Sequence, residues 1–86
     1  MIFERTTLFK RAAKKLTNQD RERLAKALVL YEADPPQPLL GIKRMQGTKG
    51  IWEGRASDAI RFTFEKIDAG ILLRNVGLHD PTLKRP

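Results

Sequence analysis

The stretch that decides the fold is IWEGRASDAIRFTFEK, residues 51–66. Apolar residues recur at every second position on both sides of a short turn at Ser57–Asp58–Ala59, and this period predicts two antiparallel strands. A three-residue turn places Arg55 opposite Arg61. A two-residue turn would move charged side chains onto the apolar face of the hairpin, so the pattern itself selects the three-residue register.

The two faces of this predicted hairpin differ in chemistry, because successive side chains along a strand point to opposite sides. One face is apolar and carries Trp52, Gly54, Ala56, Ile60, Phe62 and Phe64. The other face is polar and carries Glu53, Arg55, Arg61, Thr63 and Glu65, with Glu53 opposite Thr63. We expect helices to cover the apolar face and the charged face to be open.

Two amphipathic helices are predicted ahead of the hairpin. Thr6 or Thr7 can cap the first helix, and Thr17, three residues before Asp20, can cap the second. The double proline at 35–36 ends the second helix. Apolar residues at helical spacing form one stripe on each helix: Leu8, Phe9, Ala12, Ala13 and Leu16 on the first, and Leu24, Ala27, Leu28 and Tyr31 on the second.

Two further strands are predicted near the ends of the chain. IFERT, residues 2–6, is a short candidate strand, and GILLRNVGL, residues 70–78, is apolar on both faces and therefore predicted to be central. The segment between the second helix and the hairpin, DPPQPLLGIKRMQGTKG, is predicted to be a loop or extended connector.

Length and composition limit the class of protein. With 86 residues the chain is long enough for one small domain. Its 17 Lys and Arg against 10 Asp and Glu give a formal net charge of +7, which favours nucleic acid, the ribosome, an anionic membrane surface or an acidic protein as partner. The absence of cysteine excludes disulfides and thiol catalysis and fits a reducing cytoplasm. No apolar run is long enough to span a bilayer, and no signal peptide follows Met1.

A few polar residues are candidates for chemistry. Two arginines opposite each other repel unless a negative group lies between them. In one interpretation that group is the carboxylate of Glu53, which forms an ion pair. In the other it is a phosphate, bound by both guanidiniums. His79, the single histidine, is either a surface residue at a strand end or a general acid or base. A metal site is not expected, since one histidine and no cysteine offer too few ligands. In the connector, Lys43, Arg44 and Lys49 either face solvent or hold a nucleic-acid backbone.

The whole pattern resembles the RelE/ParE superfamily of toxins from bacterial toxin–antitoxin pairs. The resemblance spans residues 1–86 as one domain: a first strand, the helical hairpin, the basic connector LLGIKRMQGTKG, the motif W-x-x-R-x-S-x-x-x-R and a last strand ending in GLHD. It implies an α+β fold of order β-α-α-β-β-β, with two N-terminal helices packed on a curved antiparallel sheet.

The resemblance also implies a choice of activities. RelE-, YoeB-, YafQ- and HigB-like members are metal-independent endoribonucleases that cut mRNA on the ribosome without a cofactor, whereas ParE-like members inhibit DNA gyrase. In the ribonuclease reading His79 is the general acid, Arg61 and Arg55 bind the phosphate, Glu53 is the candidate base, and the basic connector holds RNA. The hairpin lacks the lysines of RelE itself, and Asp80 stands where YoeB-like proteins have a tyrosine, so a YoeB- or YafQ-like arrangement is favoured.

Partners and location follow from the same resemblance. It implies a complex with a cognate antitoxin in the cytoplasm and no association with a membrane. A third hypothesis, a basic nucleic-acid-binding domain without catalysis, is open on composition alone.

Overall fold

A five-stranded mixed sheet, with helices on both of its faces, forms the framework of the protein. The structure is a computed structural model that describes residues 1–86. Its elements are β1 (Ile2–Arg5), α1 (Thr7–Lys14), α2 (Asn18–Ala33), a 3-10 turn (Pro38–Leu40), β2 (Lys43–Arg44), β3 (Ile51–Arg55), β4 (Ile60–Ile67), β5 (Gly70–Leu78) and α3 (His79–Lys84). The predicted α+β class is confirmed, and β2 and α3 are additions to the predicted order.

The hairpin has the predicted register. Arg55 pairs with Arg61 and Glu53 pairs with Thr63. The turn is closed by the Ala56 N–H, which donates to the carbonyl of Ile60 at 3.0 Å. The alternation of apolar and charged residues was therefore sufficient to fix which side chains share a face.

The sheet differs from the predicted antiparallel one at its first strand. The strand order is β1-β5-β4-β3-β2, and β1 runs parallel to β5 from Ile2 beside Gly70 to Arg5 beside Leu73. The two backbones approach so closely that a Cβ at Gly70 would lie 1.9 Å from the carbonyl oxygen of Ile2. Strand β5 is thus an inner strand, as its apolar sequence predicted.

Both long helices begin at the predicted caps. The Oγ1 of Thr6 accepts a hydrogen bond from the Phe9 N–H, and the Oγ1 of Thr17 accepts one from the Asp20 N–H. Helix α2 ends at Ala33, directly before the Asp-Pro-Pro sequence. Each cap satisfies one of the backbone N–H groups that a helix start otherwise leaves without a partner.

The core lies between the apolar face of the sheet and the two helices. Phe62 and Phe64 are fully buried, and the ring of Tyr31 on α2 meets Phe64 edge-on with centroids 5.2 Å apart. The remaining buried apolar residues are Phe9, Leu24, Ala27, Leu40, Ile60, Ile71, Leu73 and Val76. Burial raises the pKa of Tyr31 above its ordinary value, because the ionised phenolate would lose its hydration.

The polar face is less open than predicted. Paired residues on neighbouring strands point to the same side of a sheet, so Gly77, which pairs with Arg61, marks this face on β5. A Cβ at Gly77 would lie 2.9 Å from Oγ1 of Thr82, which places α3 over the polar face. Thr63 on β4 is buried beneath the C-terminal residues, and Glu53 on β3, beside Lys43, is buried as well. The expectation of a fully open face is wrong, because a short C-terminal helix without an apolar stripe folds back over it.

None of the helices combines the length and the apolar character needed to cross a membrane.

Candidate functional site

The part of the polar face that α3 does not cover lies between β2 and α3 and begins at the β3–β4 turn; we call this surface the groove. Its floor is formed by β3 and β4, which present Arg55 and Arg61. On one side α3 and the residues after it lie over β5, and on the other side Lys43 of β2 pairs with Glu53. The predicted catalytic residues therefore lie on one side of the sheet, on adjacent elements.

The β3–β4 turn brings Arg61 and His79 to the same place. Nη1 of Arg61 donates to the carbonyl of Ser57 at 2.9 Å and to that of Asp58 at 3.1 Å. The backbone N–H of His79 donates to the carbonyl of Ala59 at 3.2 Å. Both residues are thus fixed to three successive carbonyls of one turn, while Nε and Nη2 of Arg61 make no hydrogen bond within the chain.

His79 is the first residue of α3 and its side chain is 52% exposed. Its Nδ1 lies 2.7 Å from Oδ1 of Asp80. A carboxylate only accepts hydrogen bonds, so this contact puts a proton on Nδ1 and leaves Nε2 directed elsewhere. The backbone of His79 is thus held at the β3–β4 turn and its side chain is exposed, while the prediction that its imidazole lies near Arg61 at the edge of the polar face stays a prediction.

Arg55 faces a different neighbour from Arg61, although the two residues pair in the register. The side chain of Arg55 packs against Gly41, whose ideal Cβ position is 4.0 Å from both Cβ and Nε of Arg55. Arg61 instead bonds the turn. The two like charges are therefore held by separate contacts, which relieves the repulsion expected for arginines placed directly opposite each other.

Glu53 is the most enclosed of the predicted catalytic residues. Its side chain is 10% exposed, and Oε1 lies 3.6 Å from Nζ of Lys43. The carboxylate thus neutralises the cation on the neighbouring strand. To accept a proton from a substrate, Glu53 would have to exchange Lys43 for that substrate.

The three predicted RNA-binding residues of the basic connector lie in two different places. Lys43 and Arg44 form β2 and are exposed at the edge of the sheet, while Lys49 lies exposed in the turn before β3. Trp52 is on the apolar face as predicted, and Nζ of Lys66 lies 3.9 Å from the centre of its ring.

One arginine on the polar face was missed. Arg74 forms an ion pair with Glu65, and its Nε donates to the carbonyl of Pro86 at 3.0 Å. Thr63 donates to the same carbonyl at 3.0 Å. Arg74 lies at a β-bulge between β4 and β5, where the pairing shifts by one residue, and the regular alternation from which side chains were assigned to faces does not hold there.

Comparison with known structures settles the fold. E. coli YafQ superimposes with a TM-score of 0.78 at 14% identity, covering 93% of this chain and 94% of that chain. A YoeB/ParE toxin from Agrobacterium tumefaciens gives 0.76 at 14%, covering 92% and 99%. A chain of the E. coli RelBE toxin–antitoxin complex gives 0.70 at 20%, covering 92% and 96%. This chain has the fold of the RelE/ParE superfamily toxins.

These structures confirm the fold that the resemblance implied. No protein-family model matches the sequence, and no curated protein matches it significantly. The likeness therefore lies in the backbone, at identities of 14–20% in the three structures compared. The side chain of Arg61 and the backbone of His79 are both bonded to the β3–β4 turn, Glu53 lies on β3 beside Lys43, and Arg55 is turned toward Gly41.

Proposed function

We propose that this protein is the toxin of a toxin–antitoxin pair and that it is a metal-independent endoribonuclease cleaving mRNA, with the ribosome presenting the substrate. The observation that carries the proposal is the joint anchoring of Arg61 and His79 to one turn of a RelE/ParE fold. An arginine that binds phosphate and an imidazole that moves a proton are the two groups that RNA cleavage needs when guanidinium supplies the positive charge.

The proposed reaction is an internal transfer at one phosphodiester. The ribose 2′-hydroxyl attacks the adjacent phosphorus and gives its proton to a base, for which Glu53 is the candidate within the chain. Arg61 and Arg55 donate hydrogen bonds to the phosphoryl oxygens as negative charge develops there. The bond to the 5′-oxygen breaks, and His79, which enters the reaction as an imidazolium protonated on both ring nitrogens, donates the Nε2 proton to that oxygen. The products are a 2′,3′-cyclic phosphate and a free 5′-hydroxyl.

The geometry supports these roles unequally. Nε2 of His79 is free because Asp80 engages Nδ1, and two nitrogens of Arg61 are free to bind phosphate. Arg55 is exposed and must turn from Gly41 toward the groove. Glu53 must release Lys43 first. We therefore expect His79 and Arg61 to contribute most to the rate and Glu53 least.

The surroundings of the groove fit a polyanionic substrate. Lys43, Arg44 and Lys49 are exposed and extend the positive charge beyond the two arginines, so we assign them to the RNA backbone. As a partner we propose an antitoxin, because similar structures include complexes of E. coli YafQ with DinJ and of E. coli RelE with RelB. We place both proteins in the cytoplasm, where mRNA is translated.

The test is cleavage of an mRNA on programmed ribosomes by the purified protein, read by primer extension. We expect cleavage by the wild type, and a rate lower by about 10²–10⁴-fold for His79→Ala, the usual contribution of a general acid. Lys10→Ala, an exposed position on α1, is the matched control and should cleave at the wild-type rate.

Two results would contradict the proposal in different ways. Full activity of His79→Ala would remove the assignment of His79 as the acid while leaving the ribonuclease intact. A wild type that leaves RNA intact but blocks supercoiling by DNA gyrase would replace the enzymatic proposal with the ParE-like one.

A further inference from the structure

Helix α3 has little apolar contact to hold it against the sheet. It has six residues, and the one that is buried is the polar Thr82. A helix this short is not stable by itself in water, and the free energy gained from burial scales with the apolar area removed from water. Hydrogen bonds at the two ends of α3 must therefore keep it in place.

The start of α3 is fixed by one hydrogen bond to the β3–β4 turn. The backbone N–H of His79 donates to the carbonyl of Ala59 at 3.2 Å. No side chain caps this end, where Leu78 occupies the N-cap position. Because a single hydrogen bond contributes little net free energy, the position of His79 also depends on what holds the other end of the helix.

The other end of α3 is fixed by three side chains of the sheet. Nδ2 of Asn75 donates to the carbonyl of Arg85 at 2.9 Å. Oγ1 of Thr63 and Nε of Arg74 each donate to the carbonyl of Pro86 at 3.0 Å. Two consecutive carbonyls thus receive three hydrogen bonds from β4 and β5. We call the three donating side chains the C-terminal clamp.

Arg74 is the charged member of the C-terminal clamp, and an ion pair with Glu65 on β4 fixes its guanidinium. It lies at the β-bulge, where the pairing of β4 with β5 shifts by one residue, and a bulge can turn a side chain away from the direction that regular alternation would give it. The carboxylate of Glu65 neutralises the charge of Arg74, and Pro86 engages its Nε. Arg74 is therefore poorly suited to bind a phosphate itself.

We propose that Arg74 is a positioning residue for His79. Through the carbonyl of Pro86 it holds the far end of α3, and α3 holds His79 at the β3–β4 turn, to which Arg61 is also bonded. Arg74 then acts without touching the imidazole or the substrate. Its role in catalysis rests on the proposed function, whereas its hold on α3 is a property of the fold and is measured separately.

The hold on α3 is measured by amide hydrogen exchange, followed by NMR. Arg74→Lys keeps a cation beside Glu65 but loses the planar fork that bonds Glu65 and Pro86 together. We expect the backbone N–H of His79 to exchange about tenfold faster in this variant, as for the loss of one hydrogen bond to a charged group. The N–H of Ala56, which closes the same turn, should exchange at the wild-type rate.

The role in catalysis is measured by a double-mutant cycle in the assay with mRNA on programmed ribosomes. Arg74→Lys should lower kcat by roughly tenfold or more and leave KM nearly unchanged, because a misplaced catalytic group slows the chemical step. In a His79→Ala background, Arg74→Lys should lower kcat no further, since Arg74 acts through the imidazole. A residue that only stabilises the fold would lower kcat by the same factor in both backgrounds.

Arg23→Lys is the matched control. Arg23 is paired with Asp20 on α2 at 3.4 Å, and the variant should exchange and cleave like the wild type. Urea denaturation checks that each variant is folded. Thr63→Val removes a different member of the C-terminal clamp, and it should also speed exchange at His79, so it replaces Arg74→Lys if that variant does not fold.

The hold on α3 is overturned if the N–H of His79 exchanges at the wild-type rate in Arg74→Lys, or if Arg23→Lys speeds this exchange equally. The positioning role is overturned if Arg74→Lys lowers kcat by the same factor with and without His79. A wild type that does not cleave RNA would overturn the proposed function and the role in catalysis with it, whereas the exchange measurement decides the hold on α3 without reference to RNA.

Discussion

Both faces of the sheet contain buried residues, but the residues are of opposite chemical character. On the apolar face, Phe62 and Phe64 have no exposed surface and belong to the cluster of buried apolar side chains. On the polar face, the residue between them, Thr63, is equally buried, but it is covered by the C-terminal residues and bonded to the carbonyl of Pro86. Burial alone therefore does not distinguish the two faces.

The two faces differ in what offsets the loss of water around each buried side chain. The apolar face gains free energy from area removed from water, which scales with the size of the side chain. The polar face only replaces hydrogen bonds to water with hydrogen bonds to protein, which yields a small net gain. Strand β4 thus obtains its stability from one side and presents Arg61 on the other, so the two properties can be altered separately.

The largest expected effect is on the apolar face. Phe64→Ala removes a ring that packs edge-on against Tyr31 and lies 5.8 Å from the ring of Phe62. We expect a loss of about 3–5 kcal/mol in the free energy of unfolding, as for other buried phenylalanines, measured by urea denaturation. Leu39→Ala, at a position 74% exposed, should change stability by less than about 0.5 kcal/mol. Equal losses at the two positions would mean that Phe64 is not in the core.

A smaller effect is expected at the buried position of the polar face. Thr63→Val keeps the shape of the side chain and removes the hydroxyl that donates to Pro86. Because Nε of Arg74 still donates to that carbonyl, no buried acceptor is left unpaired, and we expect a loss of about 1 kcal/mol in the same urea assay. A loss as large as that of Phe64→Ala would show that the polar face, rather than the apolar one, carries the fold.

The smallest effect at neutral pH concerns ionisation in the core. Burial raises the pKa of Tyr31, so the folded state holds the phenolic proton to a higher pH than the unfolded chain, in which tyrosine ionises near pH 10. The stability linked to this proton is fully present below about pH 10 and is lost as pH rises through the higher folded pKa. Wild type and Tyr31→Phe should therefore differ in the pH dependence of their urea midpoints only in alkaline solution.

Tyr31 is the single tyrosine, so the ultraviolet absorbance of tyrosinate reports its ionisation directly. A titration at the ordinary pKa of tyrosine would contradict the burial of this ring.

Most of the fold was predictable because local signals agreed with one another. The binary pattern of residues 51–66 fixed the register, and Thr6, Thr17 and the prolines after Asp34 fixed the ends of the helices. The parallel pairing of β1 with β5 was not predictable, because four residues, IFER, carry no pattern that specifies a partner far along the chain. Helix α3 was missed for the same reason, since its six residues contain a proline and no apolar stripe.

The candidate site was predicted less completely than the fold. The predicted pairing of β3 with β4 determines which residues share a face of the sheet, and it correctly placed Arg55 opposite Arg61. It does not state which way a long side chain turns, and here Gly41 and the β3–β4 turn draw the two guanidiniums to different contacts. The cover that α3 provides and the role of Arg74 depend on the C-terminal segment folding back, which no local pattern encodes.

The pairing of β1 with β5 also affects the order of events during synthesis. Oγ1 of Thr6 donates to the carbonyl of Arg74, a partner 68 residues later in the chain, and α1 begins at the next residue. The first strand therefore has no partner while the helices and the hairpin are emerging, and contacts of such long separation form late. A ribosome must release the chain through β5 before the sheet can close. If the protein is the ribonuclease proposed above, it can act on a ribosome only after β5 has emerged from one.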